Sequence, residues 1–248
     1  MKHQSIDQQN QSSAQHQIMA KLFEKVWSSG TYQGFSKDTM GAYTTPFLEV
    51  FIEEMKKLGR KQPTVAELGA GSGDHSLRFA AESFDTTAVE SSQTATALMR
   101  QRIATAKDSV RFKVIEKNLF DYAKSMENGK LDGIYANSVL HFLTPTERKY
   151  LYTHLFRIQS PGGILGVSFK GFGDALQKRG KTVENTPSGP VVEGDDGVRR
   201  LFVTDSNPLI EEICGAGYEF IGLTQWNVPN YNVEGEDGVF LGLRAKKL

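Results

Sequence analysis

An α/β fold built on a mostly parallel sheet is predicted by three observations on this 248-residue chain. Short apolar runs alternate with amphipathic stretches from Thr64 onward, the pattern that makes parallel strands with helices on both faces. The run 164–169 is apolar almost throughout, as strands covered on both sides are. The chain then closes on two strand-like runs, 218–226 and 239–245, separated by turn residues, which suit an antiparallel hairpin at the edge of the sheet.

Each element follows in order. Residues 3–17 are dominated by Gln, Ser and Asn and cannot bury a core, so 1–17 reads as a disordered tail. Order is expected from Ile18, where Met19, Leu22, Phe23 and Val26 follow helical spacing to Trp27 and Ser28-Ser29-Gly30 breaks the helix. Thr45 as cap and Pro46 at the first position open a second helix with the apolar face Phe47, Leu48, Phe51, Ile52 and Met55. These two helices form an N-terminal cover, 18–62, ahead of a main domain, 63–248. Within that domain strands are expected at 65–68, 86–89, 110–115, 131–136 and 164–169. Helices are expected at 76–83, 94–106, 146–158 and 207–214, with Pro161-Gly162-Gly163 ending the long one. An insertion at 171–204 breaks the alternation. Its first thirty residues carry six glycines, Pro187 and Pro190 without periodicity, which suits a functional loop, a small hairpin or a lid.

Composition excludes several classes. Lysine plus arginine equals aspartate plus glutamate at 29 each, which disfavours a nucleic-acid binder held by phosphate neutralisation over a broad surface. The one cysteine, Cys214, excludes an intrachain disulfide, a four-cysteine zinc site and a cysteine-ligated cluster, and no metal site is expected. No apolar run approaches the ~20 residues of a membrane span. The start Met1-Lys2-His3-Gln4 has no apolar stretch behind its charge, so a soluble, cytoplasmic protein is expected.

The sharpest signal is Glu67-Leu68-Gly69-Ala70-Gly71-Ser72-Gly73-Asp74, between the first strand and its helix. Glycines there admit positive φ and let backbone approach a ligand where a Cβ would clash. The helix start offers free N–H groups to electron-rich ligand atoms. Glu90 closes the next strand about 20 residues on, where a carboxylate accepts hydrogen bonds from ribose hydroxyls. A dinucleotide site is the first alternative, but it spaces its glycines Gly-x-Gly-x-x-Gly, whereas this turn reads Gly-x-Gly-x-Gly. Glu67, just before the turn, suits a cationic amino acid end better than a pyrophosphate.

Residues 65–80 resemble motif I of the class I S-adenosylmethionine-dependent methyltransferases, and Val89-Glu90-Ser91 resembles their ribose-binding acidic motif. The resemblance spans roughly 64–169 and extends to the terminal hairpin. It implies a Rossmann-like, seven-stranded, mostly parallel sheet, with S-adenosylmethionine as cofactor. Carried onto this sequence, it assigns Glu67, Gly69, Ala70, Gly71, Gly73 and Asp74 to cofactor binding, with Glu67 at the cofactor's amino acid end, and Glu90 and Ser91 to its ribose. Asn118 stands where relatives place the acid that reads the adenine amino group; its side-chain carbonyl can accept the same hydrogen bond, and Leu119 adds a backbone N–H. Asn137 and Ser138, opening Asn137-Ser138-Val139-Leu140-His141-Phe142, fall under the methionine moiety. Trp27, Tyr32 and Phe35 resemble the aromatic entry segment of the thiopurine, thiol and halide methyltransferases and their tellurite-resistance relatives, which places Tyr32 with the cofactor residues.

The acceptor is less legible. No Asn-Pro-Pro-aromatic sequence follows the fourth strand, which disfavours adenine and glutamine-amide methylation. Lys170, after the fifth strand, and Arg200, before the last helix, are candidates for holding a small polar or anionic acceptor, Arg by its fork and Lys as a point charge. His141 is the candidate general base. Methylation of a protein or RNA group is the alternative within enzymes, supported by Lys178-Arg179 and Lys181 in the insertion. A non-catalytic S-adenosylmethionine-binding protein is the alternative outside them. Sequence yields no oligomeric state.

Overall fold

A computed structural model describes residues 2–29, 45–105, 111–229 and 236–248. The element order is α1 (Lys2–Ser28), α2 (Pro46–Lys57), β1 (Thr64–Leu68), α3 (Asp74–Ala81), β2 (Asp85–Glu90), α4 (Gln93–Thr105), β3 (Phe112–Glu116), α5 (Leu119–Ser125) and β4 (Leu131–Ala136). Then come a 3-10 turn (Leu140–Phe142), α6 (Pro145–Ile158), β5 (Gln159–Gly171), α7 (Ala175–Arg179), β6 (Lys181–Thr186), β7 (Gly189–Glu193), β8 (Arg199–Val203), α8 (Asn207–Gly215), β9 (Tyr218–Val228) and β10 (Gly238–Lys247).

The expected seven-stranded core is present in the order β3-β2-β1-β4-β5-β10-β9. Its first five strands are parallel, β10 runs antiparallel to β5, and β9 pairs antiparallel with β10. Helices α5, α6 and α8 cover one face through Tyr122, Leu151, Leu155, Leu209 and Ile213. Helices α2 and α3 cover the other.

Helix α2 is closely determined by its sequence. Thr45 caps it by accepting the Leu48 N–H, Pro46 sits in the first turn, and all five apolar-face residues are buried. Each contributes roughly 1.5–3 kcal/mol. Three strands meet that face with glycine. An added Cβ at Gly166 would lie 2.7 Å from the Phe51 ring, one at Gly133 2.6 Å from Met55 Sδ, and one at Gly242 would overlap the Phe47 ring. Phe47 cannot yield, because it stacks against both Tyr135 and Trp226.

Four expectations change. The stretch read as a tail to residue 17 lies within α1, which is tied down from Gln15 on: Gln15 Oε1 accepts the Arg199 N–H, and His16 Nε2 lies 3.1 Å from Glu147 Oε1. Local composition could not report contacts made 184 positions away. Pro161-Gly162-Gly163 does not end α6 in a loop but lies inside β5, where a shift in register against β4 accommodates it. Helix α5, too short for a periodicity signal, was not expected; Asn118 caps it by accepting the Asp121 N–H. The insertion is ordered as α7 and an antiparallel ribbon β6-β7-β8, joined to the end of β5 by Lys170↔Phe202 and Gly171↔Val203. The described residues therefore form ten strands, three more than the core.

Candidate active site

A cleft of about 430 Å³ opens at the carboxyl ends of β1, β4 and β5, where ligands of open α/β sheets bind. Its floor is the glycine turn. Gly69, Gly71 and Gly73 have φ of 69°, 55° and 79°, a conformation an L side chain rarely adopts. A Cβ on Gly69 would lie 2.5 Å from Val139 Cγ2, and one on Gly71 2.9 Å from the Trp27 indole. Glu67 ends β1 as a buried carboxylate: Ser76 Oγ donates to its Oε2 at 2.5 Å, and His75 Nδ1 stands 3.3 Å from its Oε1. Asp74, first residue of α3, is held by Arg102, which also donates to the Ser72 carbonyl.

After β4, Ser138 takes a positive φ of 57° and turns Asn137 along the cleft. Ser168 of β5 holds both: its Oγ accepts the Ser138 N–H at 2.8 Å and donates to Asn137 Oδ1 at 2.7 Å. Sequence reasoning did not assign Ser168 a role. Its signal was a lone hydroxyl inside an apolar strand, legible only once β4 and β5 are adjacent.

Helix α1 roofs the cleft with Leu22, Phe23, Val26 and Trp27. Phe23 meets Phe142 edge-on at 5.6 Å, and Glu24 accepts from Ser92 Oγ at 2.7 Å and from Thr94. The far end is closed by His141 and Phe142 of the 3-10 turn, Lys170 of β5, and Leu176, Asp196 and Arg200 of the insertion.

Both cations at that end carry carboxylate partners. Lys170 Nζ donates to Asp174 Oδ2 at 2.8 Å in a fully buried pair, and Asp174 also caps α7 and accepts the Val239 N–H. Burial pushes the Lys170 ammonium below its ordinary value, and Asp174 pulls it back. Arg200 grips both oxygens of Asp196, at 3.0 and 2.5 Å. Burial alone would raise the Asp196 carboxyl, but the Arg200 fork overrides it and holds it below the usual range. The expected anion site is thus two completed ion pairs. His141 is 3% exposed, and Nδ1 has no hydrogen-bond partner among the described residues. Burial, then the charges of Lys170 and Arg200, push its pKa well below the ordinary imidazole value, so the ring is neutral.

Of the residues expected from sequence, Glu67, Gly69, Ala70, Gly71, Asp74, Asn137, Ser138, His141, Lys170 and Arg200 meet in this cleft. Gly73, Glu90, Ser91, Asn118 and Leu119 do not line it. Glu90 instead folds back under the turn, where its carboxylate accepts the N–H groups of Gly71 (2.9 Å), Ser91 (2.7 Å) and Ser92 (2.9 Å). Tyr32 lies outside the described residues. Lys178 and Arg179 share Glu236, which offsets the basic run in the insertion.

Residues 65–163 match a family model described as "Methyltransferase domain". No curated protein sequence matches the chain. Among solved structures it is similar to the Burkholderia thailandensis 1,6-didemethyltoxoflavin-N1-methyltransferase, crystallised with 1,6-didemethyltoxoflavin and S-adenosylhomocysteine, at TM-score 0.64 and 16% identity over 94% of this chain and 88% of that one. It is also similar to a SAM-dependent methyltransferase of Methanosarcina mazei (0.63, 16%, 83% and 98%) and to TehB of Haemophilus influenzae (0.58, 17%, 81% and 62%). No described helix is long and apolar enough to cross a membrane. A buried acid beside a turn that only glycines can line fits the amino acid end of S-adenosylmethionine. Residues 65–163 thus carry the similarity to a methyltransferase domain, and the solved structures named above share the fold of this chain.

Proposed function

We propose that this protein is a methyltransferase that transfers the methyl group of S-adenosylmethionine to a small molecule held between α1 and the insertion. The observation that carries the reading is the cover over the acceptor end. That end is roofed by α1 and walled by Leu176, Asp196 and Arg200, so the cleft narrows to the size of a small molecule. The Burkholderia thailandensis neighbour, crystallised with 1,6-didemethyltoxoflavin, supports the same reading.

When bound, S-adenosylmethionine supplies a sulfonium methyl group that is already electrophilic. The chain's own residues bind and align. Glu67 and the turn Gly69-Ala70-Gly71 would hold the cofactor's amino acid end, with Asp74 shaping the helix start. Asn137, fixed by Ser168, would support the methionine portion. Glu90 would brace the turn against the bound cofactor by accepting the N–H groups of Gly71, Ser91 and Ser92. The α1 roof lays Leu22, Phe23, Val26 and Trp27 over the cleft, an apolar cover that limits water around these polar contacts.

Calorimetric titration with S-adenosylmethionine, S-adenosylhomocysteine and NAD tests the cofactor assignments. Micromolar binding of the first two (about −8 kcal/mol) and none of NAD is expected for the wild type, with a loss of tenfold or more in Glu67→Gln. Retention of affinity in Glu67→Gln would remove the assignment of Glu67. An acceptor screen in which only proteins or RNA are methylated would remove the small-molecule reading.

A further inference from the structure

We infer that the acceptor is an uncharged, flat aromatic molecule bearing an O–H, N–H or S–H group, and that His141 takes the proton of that group as the methyl arrives. The inference rests on the methyl-transfer reading above and deepens it.

Three observations at the far end of the cleft carry it. The first is charge. Lys170 and Arg200 are matched one for one by Asp174 and Asp196, so a carboxylate or phosphate entering there would meet no unspent cation and would face two acids, Asp174 buried and Asp196 at the solvent edge. An uncharged guest avoids that conflict. The second is shape. Phe23 and Phe142 stand edge to face at 5.6 Å, Phe142 carries the Arg200 guanidinium 5.5 Å from its ring centre, and Trp27 and Leu176 complete an apolar wall. Rings of this kind receive another ring by stacking or edge contact. The third is His141, which lines the same wall and whose Nδ1 lacks a partner among the described residues. A buried imidazole in a cleft wall with an unpartnered nitrogen calls for an explanation, and a turn of the ring that brings a nitrogen onto a ligand hydrogen-bond donor supplies one.

The proton balance closes within the site. The acceptor heteroatom forms its bond to the methyl carbon, and the sulfur–methyl bond breaks with its electron pair on sulfur. The heteroatom's proton passes to the neutral imidazole, which later releases it to water. The groups facing that imidazole are Lys170 from β5 with its partner Asp174, and Arg200 from β8 with Asp196; Glu67, Asp74 and His75 lie along the same cleft from β1 and α3. The two cations oppose lasting protonation of His141, so the proton is handed on rather than kept.

The test uses the full chain. The protein is first titrated with S-adenosylhomocysteine, and the loaded protein is then titrated with 4-hydroxyquinoline and 2-mercaptobenzimidazole against quinoline-4-carboxylate and benzoate. The uncharged probes are expected to bind at least tenfold tighter than the carboxylates and to shift the His141 imidazole carbon–proton resonance, identified by its absence in His141→Gln. With S-adenosylmethionine both uncharged probes should be methylated. His141→Gln and His141→Asn should keep probe affinity within about threefold and lose about 10²–10⁴ in kcat, the range of general-base catalysis. In the wild type, kcat should fall on acidification, and the variants should lack that limb.

Tighter binding of the carboxylates, or binding of the uncharged probes without transfer, would overturn the acceptor class. Variants within threefold of wild-type kcat would overturn the role of His141. If the variants fail to fold, the comparison of probes on the wild-type protein still decides the acceptor class, and the imidazole resonance decides contact with His141. Failure to bind S-adenosylhomocysteine at all would instead remove the methyl-transfer reading beneath the inference.

Discussion

Ser168→Ala tests how the fold builds the cleft. Ser168 is fully buried, and its hydroxyl joins two strands by accepting the Ser138 N–H and donating to Asn137 Oδ1. Removing the oxygen takes the acceptor from the part-buried Ser138 N–H, at a residue already held at positive φ. A buried donor left without a partner costs about 1–3 kcal/mol. Asn137 is only half-buried, so water can replace its lost bond at little further cost. At roughly 2–4 °C per kcal/mol for a domain of this size, Tm should drop by about 2–12 °C. Asn137, no longer oriented, should also bind S-adenosylhomocysteine several-fold more weakly by calorimetry. A variant that melts within 1 °C of the wild type and binds S-adenosylhomocysteine equally well would refute the assignment of Ser168 as the support of the β4 turn.

Lys170→Met leaves Asp174 buried without its cation and should destabilise the protein by about 3–5 kcal/mol in denaturant titration, with Lys170→Met/Asp174→Asn, which removes the charge and keeps an acceptor oxygen, recovering part of the loss; a stable single variant would mean that the pair is not structural. Gly242→Ala should cost about 1–3 kcal/mol by overpacking against Phe47, and Phe47→Ala alone about 3–5. The double variant should be no worse than Phe47→Ala, and additive losses would deny the contact. His16 is raised above its ordinary pKa by its hydrogen bond to Glu147, with burial opposing. Its contribution is therefore complete below pH ~6.5 and fades as pH rises through the raised value. The wild type should lose more Tm between pH 6 and pH 8.5 than His16→Gln does; equal losses would show that the pair does not hold α1.

Helix α2 shows what one stretch of sequence can carry. Its cap, its proline and its five apolar positions are all local, and each was readable before any partner was known. The strands β1, β4 and β10 were equally plain, because burial on both faces leaves an apolar run in the sequence. Other elements were not local. The ribbon β6-β7-β8 is half exposed and held by pairing, so it left no apolar period. Helix α1 takes its place from Gln15, His16, Phe23 and Glu24, whose partners lie on four different elements or turns.

The site divides along the same line. Sequence by itself determined the glycine turn, the acid before it and the order in which strands deliver residues to one end of the sheet. Those depend on backbone conformation and burial, which neighbouring residues dictate. Tertiary structure alone decided what the charges do. Lys170 and Arg200 read in sequence as anion binders, yet each is spent on a carboxylate four residues away, with one of those carboxylates tied to β10. Glu90 turned its oxygens to the backbone of the glycine turn. A charged side chain acts through whichever partner stands within a few ångströms; both partners here are near in sequence, yet only the turn from β5 into α7 and the pairing of β7 with β8 bring them within reach.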